Sequence, residues 1–338
     1  MRVCLVSPPT ATDFGESQIA KSERVRGIVE HPPVGILVLA AILEQRGIEV
    51  FVVDLNRTYL EYLKTTRCSA GGADFAEAAA MKLSRLPADV FGFGTLCCSY
   101  AVTIRIAARL RLLRAGVPVI LGGPHASVVD VATLETFPFF DYIVRGEAEE
   151  TLPQVLEALA QGKQPARVAS VTYREGGTIV RNPDASVIAD LDAVPVPAYH
   201  LWPYLDGWDT LPLELGRGCP FGCTFCSTNL FFQRRYRVKS PEAMIRQMRF
   251  FRQTLGICRF NLIHDSFTAD QEKVLAFCDA LDRCGESFSW DVSARTDCLN
   301  DALIQRMAGS GCHGVFLSIE TGSPSLQKII HKRLDVIV

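Results

Sequence analysis

The first half of the chain alternates short apolar runs with longer segments whose apolar residues recur at helical spacing. Short β-branched strands between helices are typical of a parallel sheet that is covered by helices on both faces. We therefore predict a doubly wound α/β domain over residues 1–165. Its predicted strands are Val3–Val6, Glu49–Asp54, Asp89–Gly94, Val117–Leu121 and Tyr142–Val144.

The pattern changes after residue 165 and resumes near residue 211. Residues 166–210 contain two β-like runs around Gly176-Gly177, followed by a stretch rich in proline and aromatic residues. This composition indicates a linker that contains a hairpin. Residues 211–338 again alternate strands and helices, in four β/α units.

The overall composition argues against several classes of protein. The formal net charge of the 338 residues is −2, whereas nucleic-acid-binding domains are usually strongly basic. The longest apolar run, Val34–Leu43, is about half a membrane span, and residues 1–7 lack the pattern of a signal peptide. The 12 cysteines are scattered, which favours free thiols in a reducing compartment. We expect a cytoplasmic protein that binds neither nucleic acid nor membrane.

One group of cysteines has a spacing that suggests metal chemistry. Cys219, Cys223 and Cys226 lie in a short segment with Gly and Pro between them, so that one loop can present three thiolates. Thiolates hold iron–sulfur clusters, and three ligands leave one iron open. A structural zinc site would need a fourth ligand, for which Cys258 and His264 are the nearest candidates. Chance clustering of core thiols is the third alternative.

The CxxxCxxC triplet after a first β-strand resembles the radical S-adenosylmethionine (SAM) superfamily. The resemblance implies a (β/α) barrel in which Cys219, Cys223 and Cys226 bind a 4Fe–4S cluster and SAM binds its open iron. It also implies SAM contacts beside the triplet and at the ends of later strands, and an arginine suits a carboxylate because its planar fork binds both oxygens. These residues are Phe225, Asp265, Ser293, Arg295, Glu320 and Gly322.

Glycine-containing segments at the predicted strand ends of the first domain are similar to the cobalamin-binding domain that precedes many radical SAM domains. The resemblance implies a Rossmann-like sheet of the cobalamin-binding type. It implies cobalamin contacts at Pro9, Gly94, Thr95, Gly122, Gly123, His125, Gly146 and Glu147. One departure is that domains which ligate cobalt use Asp-x-His-x-x-Gly, whereas Asp54-Leu55-Asn56-Arg57 contains no histidine. The alternative is a degenerate Rossmann-like domain that only packs on the barrel.

Together the two resemblances imply an enzyme with three cofactors: a 4Fe–4S cluster, SAM and cobalamin. SAM cleavage would give a 5′-deoxyadenosyl radical, the radical would take hydrogen from an unactivated carbon, and cobalamin would supply a methyl group to that carbon. A rearrangement or cyclisation without methyl transfer is the alternative reaction. A non-catalytic fragment that binds cobalamin or the cluster is the alternative from another class.

The resemblance also defines what is missing and which partners to expect. Radical SAM domains usually have six β/α units, whereas residues 211–338 contain four, so the barrel is partial. The chain is a truncated form, or a second chain completes the barrel, or the short barrel functions as it stands. The implied partners are a small-molecule or peptide substrate and an electron donor of the flavodoxin or ferredoxin type.

Overall fold

The computed structural model describes residues 1–10, 31–66 and 72–335. The first sheet consists of β1 (Arg2–Ser7), β2 (Glu49–Asp54), β3 (Val90–Gly94), β4 (Val119–Gly122), β5 (Tyr142–Val144), β6 (Val171–Glu175) and β7 (Thr178–Arg181). The strand order is β2-β1-β3-β4-β5-β6-β7. Strands β1 to β5 are parallel to one another, so their carboxyl ends lie along the same edge of the sheet.

Helices cover both faces of this sheet. They are α1 (Val34–Gln45), α2 (Leu55–Thr66), α3 (Gly72–Ser84), α4 (Cys97–Leu113), α5 (Pro124–Val128), α6 (Asp130–Thr136) and α7 (Thr151–Ala160). Successive residues of a strand point to opposite faces. Cys4 and Val6 of β1 therefore pack in the cluster formed with α3 and α4, while Val3 and Leu5 pack in the cluster formed with α1 and α7. The structure confirms the predicted doubly wound α/β fold.

The hairpin β6–β7 extends the first sheet, whereas the sequence indicated a hairpin within a linker. Strand β6 pairs antiparallel with β5, and β7 pairs antiparallel with β6. The hairpin joins this sheet because Val171 and Tyr173 of β6 are buried in the same core cluster as residues of β1. Arg145, buried just after β5, adds ion pairs to Asp184 at 2.7 Å and Asp130 at 3.5 Å.

The strands and helices from residue 210 onwards are organised around a second, smaller sheet. Its main strands are β8 (Thr210–Glu214), β11 (Arg259–Ile263), β12 (Ser289–Ala294) and β13 (Cys312–Leu317), which form a parallel sheet of order β13-β12-β11-β8. The short strands β9 (Gly216–Arg217) and β10 (Arg237–Val238) pair antiparallel. The helices are α8 (Thr228–Phe231), α9 (Pro241–Leu255), α10 (Gln271–Cys284), α11 (Asp301–Gly309) and α12 (Pro324–Ile329).

Capping residues fix where the helices of the second sheet begin and end. The Ser240 side chain accepts a hydrogen bond from the backbone N–H of Ala243 at the start of α9, and Asp270 does the same for Lys273 at the start of α10. Such caps satisfy backbone donors that the first turn leaves open. Gly256, with φ of +73°, ends α9 in a left-handed conformation. Gly256 therefore separates the end of α9 from the start of β11.

Strand β13 lies at the edge of the second sheet. Phe316 has 62% of its side chain exposed and Leu317 has 41%. Apolar residues at the other strands of the sheet, such as Leu213, Leu262 and Val292, are buried. Among the described residues β13 pairs only with β12, so the (β/α) arrangement is a partial barrel with an open row of four strands.

The chain divides into two compact units. The first contains Met1–Ser186 and Pro197–Tyr204, and the second contains Val187–Val196 and Leu205–Val338. Parts of the expected linker therefore belong to each unit. Within the described parts of the chain, every helix is too short or too polar to span a membrane.

Candidate functional site

The three cysteines of the triplet lie in a loop between β9 and α8, which we call the cysteine loop (residues 218–227). All three thiols are partly exposed. Glycine is required where the loop begins, because a Cβ at Gly218 would collide with the carbonyl of Arg235 and the φ of Gly218 is +81°. The local sequence thus forces a tight turn immediately before Cys219.

Asp265, which follows β11, holds both ends of the cysteine loop. Its carboxylate accepts a hydrogen bond from the backbone N–H of Gly218 at 2.9 Å and another from the hydroxyl of Thr228 at 3.0 Å. Burial raises the pKa of Asp265, and these two hydrogen bonds oppose the increase. Both carboxylate oxygens bind the loop, so the structure gives Asp265 an anchoring role. Its contact with SAM stays a prediction.

Arg295, which follows β12, reaches the cysteine loop from the other side. Its Nη1 lies 3.8 Å from the sulfur of Cys223. Its Nε and Nη2 donate to the two carboxylate oxygens of Asp297 at 2.9 and 2.7 Å. Asp297 therefore occupies the bidentate face of the guanidinium, formed by Nε and Nη2, that would suit the carboxylate of a ligand. The remaining nitrogen, Nη1, lies next to the sulfur.

The other expected SAM contacts lie in the cysteine loop and at the ends of β12 and β13. Phe225 is 53% exposed within the cysteine loop, and Ser293 is half-buried in β12. Glu320 follows β13 with φ of +67° and accepts a hydrogen bond from Lys332 Nζ at 2.9 Å. Gly322 has open space on its Cα, because no heavy atom lies within 4 Å of the place a Cβ would take. Their assignment to SAM stays a prediction.

The chemistry of the cysteine loop fits a four-iron cluster. Burial is the largest cause that raises the pKa of the Cys219 thiol to about 11, and the nearby charges of Asp265, Cys226 and Cys223 contribute to the same increase. Among the described residues no group of three His, Cys, Asp or Glu side chains is arranged around a single ion. Each cysteine of a cluster binds a different iron, so a cluster does not need that arrangement. Iron binding would release the thiol protons.

Loops at the carboxyl ends of β3, β4 and β5 are joined by hydrogen bonds. The Thr95 hydroxyl donates to the carbonyl of Gly122 at 3.0 Å, and the Gly146 N–H donates to Ser127 Oγ at 2.9 Å. Gly123 has φ of +91°, and a Cβ there would lie 2.7 Å from the backbone nitrogen and oxygen of Thr95. The expected cobalamin-binding residues of these loops therefore form one continuous edge.

The environment of this edge fits a large ligand. Gly146 has φ of +65° and no heavy atom within 4 Å of the place of a Cβ, so a ligand can approach its backbone. Gly94 is tighter, because a Cβ would lie 3.1 Å from Ile36. In sheets of this kind ligands bind beyond the carboxyl ends of the strands. Binding of cobalamin by these residues stays a prediction.

Three further residues predicted to contact cobalamin flank the same edge. The ring of His125 packs against Tyr100, with 4.5 Å between ring centroids, and the His125 backbone N–H donates to the Thr95 carbonyl at 3.3 Å. Pro9 is buried at the end of β1, and Glu147 is half-buried after β5. The packing of His125 on Tyr100 gives that histidine a structural role within the loop.

The structure also brings residues to the site that the sequence interpretation missed. Thr228 and Asp297 each lie two residues beyond a predicted site residue, Cys226 and Arg295 respectively, so proximity in sequence was a usable signal. Lys332 lies 12 residues after its partner Glu320, and nothing local pointed to that pairing.

Comparison with known families assigns both halves of the chain. Residues 28–156 match the B12 binding domain, and residues 213–336 match the Radical SAM superfamily. The two matches have the order that the resemblance implied. They also agree with the three expected cofactors.

Relatives at low identity extend over most of the chain. An uncharacterized methyltransferase of Pyrococcus horikoshii is 27% identical over 336 residues, which cover 98% of this chain and 68% of the relative. An anaerobic magnesium-protoporphyrin IX monomethyl ester cyclase of Cereibacter sphaeroides is 25% identical over 327 residues, which cover 90% of this chain and 50% of the relative. This chain thus spans between half and about two thirds of these proteins.

Solved structures share the fold. The radical SAM methyltransferase TsrM from Kitasatospora setae, solved with tryptophan and a SAM analogue, is 17% identical with a TM-score of 0.71, covering 100% of this chain and 63% of its own. A second TsrM structure contains cobalamin and a 4Fe–4S cluster. The order of the matched domains and the shared fold lead to one conclusion. The chain therefore carries a B12 binding domain in front of a domain of the Radical SAM superfamily.

Proposed function

We propose that this chain is a cobalamin-dependent radical SAM enzyme that methylates an unactivated carbon. The observation that carries the proposal is the cysteine loop, which Asp265 ties at both ends and Arg295 contacts at Cys223. Methyltransferases among the relatives, including the one from Pyrococcus horikoshii, support methylation as the reaction.

Each group of residues has a proposed role. Cys219, Cys223 and Cys226 hold the cluster, and the residues at the ends of β12 and β13 hold SAM. The loops after β3, β4 and β5 hold cobalamin, with Gly146 open to the ligand. When bound, the cluster supplies the electron that cleaves SAM, and cobalamin supplies the methyl group. The chain itself contributes binding and orientation.

Anaerobic reconstitution with iron and sulfide tests the proposal. We expect the wild-type protein to become brown and, with SAM and a reductant, to form 5′-deoxyadenosine. C219A, C223A and C226A should each lose iron and this product. C258A is the matched control, because Cys258 has a similar partial exposure and lies outside the cysteine loop. A wild-type protein that takes up iron but forms no 5′-deoxyadenosine would favour the non-catalytic, cofactor-binding fragment.

A second candidate reaction is cyclisation or rearrangement without methyl transfer. This second reaction is supported by the 25% identity to a magnesium-protoporphyrin ester cyclase, since that relative covers 90% of this chain. The mass of the product separates the two reactions. A gain of one CH₂ supports methylation, and a product without added carbon supports cyclisation or rearrangement.

The proposed partners follow from this chemistry. We propose a small molecule or a peptide as substrate, a flavodoxin- or ferredoxin-type electron donor and a cytoplasmic location. A second chain that completes the barrel stays a proposal, supported by the exposed Phe316 on the edge strand β13. The mass of the anaerobic protein in solution tests it.

A further inference from the structure

Residues 330–332, which we call the clasp, follow α12 and contact three parts of the proposed site. The carbonyl of Ile330 accepts a hydrogen bond from the Thr224 N–H of the cysteine loop at 3.0 Å. The carbonyl of Lys332 accepts one from Arg295 Nη2 at 2.8 Å. The ammonium of Lys332 binds Glu320 Oε1 at 2.9 Å. One short segment therefore contacts the cysteine loop and two of the three charged residues expected to bind SAM, Arg295 and Glu320.

The side chain of Lys332 is held in a defined position. It is only 4% exposed, whereas its partner Glu320 is 39% exposed. Nζ also donates to Ser318 Oγ at 2.8 Å. A buried ammonium is costly unless it is paired and hydrogen-bonded, so these contacts fix the lysine and orient the carboxylate that it binds.

The backbone around the clasp is also unusual. Glu320, His331 and Arg333 have φ values of +67°, +55° and +56°. Residues with a Cβ avoid this left-handed region. Such conformations persist only where surrounding contacts hold them, and they concentrate at functional sites. His331 and Arg333 flank Lys332 directly, and their backbone N–H groups donate to the carbonyls of Lys328 and Gln327, each at 3.2 Å, which holds this turn in place.

We propose that Lys332 is a positioning residue for SAM binding. Its ammonium orients Glu320, and its carbonyl orients Arg295, while the neighbouring Ile330 holds the cysteine loop. The affinity for SAM then depends on a side chain whose contacts are within the protein. This inference rests on the proposed function, because that function assigns Glu320 and Arg295 to SAM.

The test compares K332M with K328M in the full, anaerobically reconstituted chain. Lys328 is an exposed lysine of α12 and serves as the matched control. Iron content, the dissociation constant for SAM and the electron paramagnetic resonance spectrum of the reduced cluster are measured. K332M should keep its iron and weaken SAM binding by at least about tenfold, equal to about 1.4 kcal/mol. Its spectrum should change less on addition of SAM than that of the wild type or K328M.

The outcomes separate the possibilities. K332R, which keeps the charge and the donors, should recover part of the affinity. If K332M binds SAM as tightly as K328M, the inference is overturned. Should K332M fail to hold iron, S318A decides, because it removes one hydrogen bond from the ammonium and leaves the lysine in place. Weaker SAM binding by S318A supports the inference, and unchanged binding overturns it. A wild-type protein that holds iron but binds no SAM would instead overturn the proposed function.

Discussion

The guanidinium of Arg295 lies over the ring of Phe221, with 3.9 Å between the guanidinium carbon and the ring centroid. Phe221 stands between Cys219 and Cys223, so this cation–π contact holds the first turn of the cysteine loop. The charge of Arg295 is balanced by the bidentate carboxylate of Asp297. An ion pair therefore lies beside the proposed cluster.

The charges of this pair should tune the reduction potential of the bound cluster. Net charge and hydrogen bonds near the sulfurs set the potentials of iron–sulfur clusters. R295Q removes a positive charge next to Cys223 and should lower the potential by on the order of tens of millivolts. D297N removes the opposing negative charge and should raise it. An anaerobic redox titration monitored by electron paramagnetic resonance measures both shifts.

Arg306 offers the control for this experiment. It pairs with Asp279 and Asp282, each at 2.8 Å, and bears a similar charge in the same unit. R306Q should leave the potential unchanged. Shifts of the same sign in R295Q and D297N would contradict the electrostatic explanation, because the two substitutions change the charge in opposite directions.

The sequence predicted where the second unit places its site but not how the site is tied together. Cys219, Asp265 and Arg295 lie beyond the carboxyl ends of β8, β11 and β12, which are parallel strands and so bring those ends to the same edge. The pattern of strands therefore sufficed to group them. The Asp265–Gly218 hydrogen bond and the Arg295–Asp297 pair depend on side-chain rotamers and loop geometry, which periodicity does not contain.

The first unit should depend strongly on glycine at position 123. G123A places a Cβ 2.7 Å from the Thr95 backbone and keeps a φ of +91°, so strain and overlap both oppose it. We expect a loss of about 3 kcal/mol in the free energy of unfolding. G47A is the control, since Gly47 has φ of +73° in open space and should lose only about 1 kcal/mol.

Chemical denaturation followed by circular dichroism measures both variants without any cofactor. Equal losses in G123A and G47A would show that the overlap with Thr95 relaxes. Cobalamin retention then gives a second comparison. G123A should bind less cobalamin than G47A because Gly123 lies in the proposed cobalamin edge.

The stability of the first unit should also depend on pH through Asp54. This carboxyl is buried, and burial raises its pKa above the ordinary value of 3.8, against hydrogen bonds from Trp202 and Asn56. Below about pH 3.8 the group is protonated in both the folded and the unfolded chain. As the pH rises, Asp54 ionises first in the unfolded chain, so the free energy of unfolding decreases. The decrease ends once the pH exceeds the pKa of Asp54 in the folded chain.

The variant D54N removes this titration. The free energy of unfolding of D54N relative to the wild type should therefore increase as the pH is raised from about 3 to about 7. Denaturation curves at a series of pH values measure the difference. A difference that does not vary with pH would mean that Asp54 has the same pKa in the folded and the unfolded chain.

The first unit shows the same limit of sequence reasoning. The short, continuously apolar run Val3–Val6 between helical segments correctly predicted a sheet covered on both faces, because a strand that is apolar at successive positions buries both of its faces. The pairing of β6 with β5 was missed, since the glycine-rich turn identified a hairpin but not its partner strand. The contacts that accompany this pairing are also long-range, since Arg145 and Asp184 are 39 residues apart.

The interleaving of the two units has a consequence for synthesis of the chain. The backbone passes from one unit to the other after Ser186, Val196 and Tyr204. Trp202 donates its indole N–H to Asp54, the last residue of β2, at 3.1 Å. Trp202 is therefore synthesised 148 residues after its hydrogen-bond partner. Domains usually fold as they leave the ribosome, the amino-terminal one first. Here the first unit can complete its core only once translation has passed Tyr204, when Val187–Val196 of the second unit have already been synthesised.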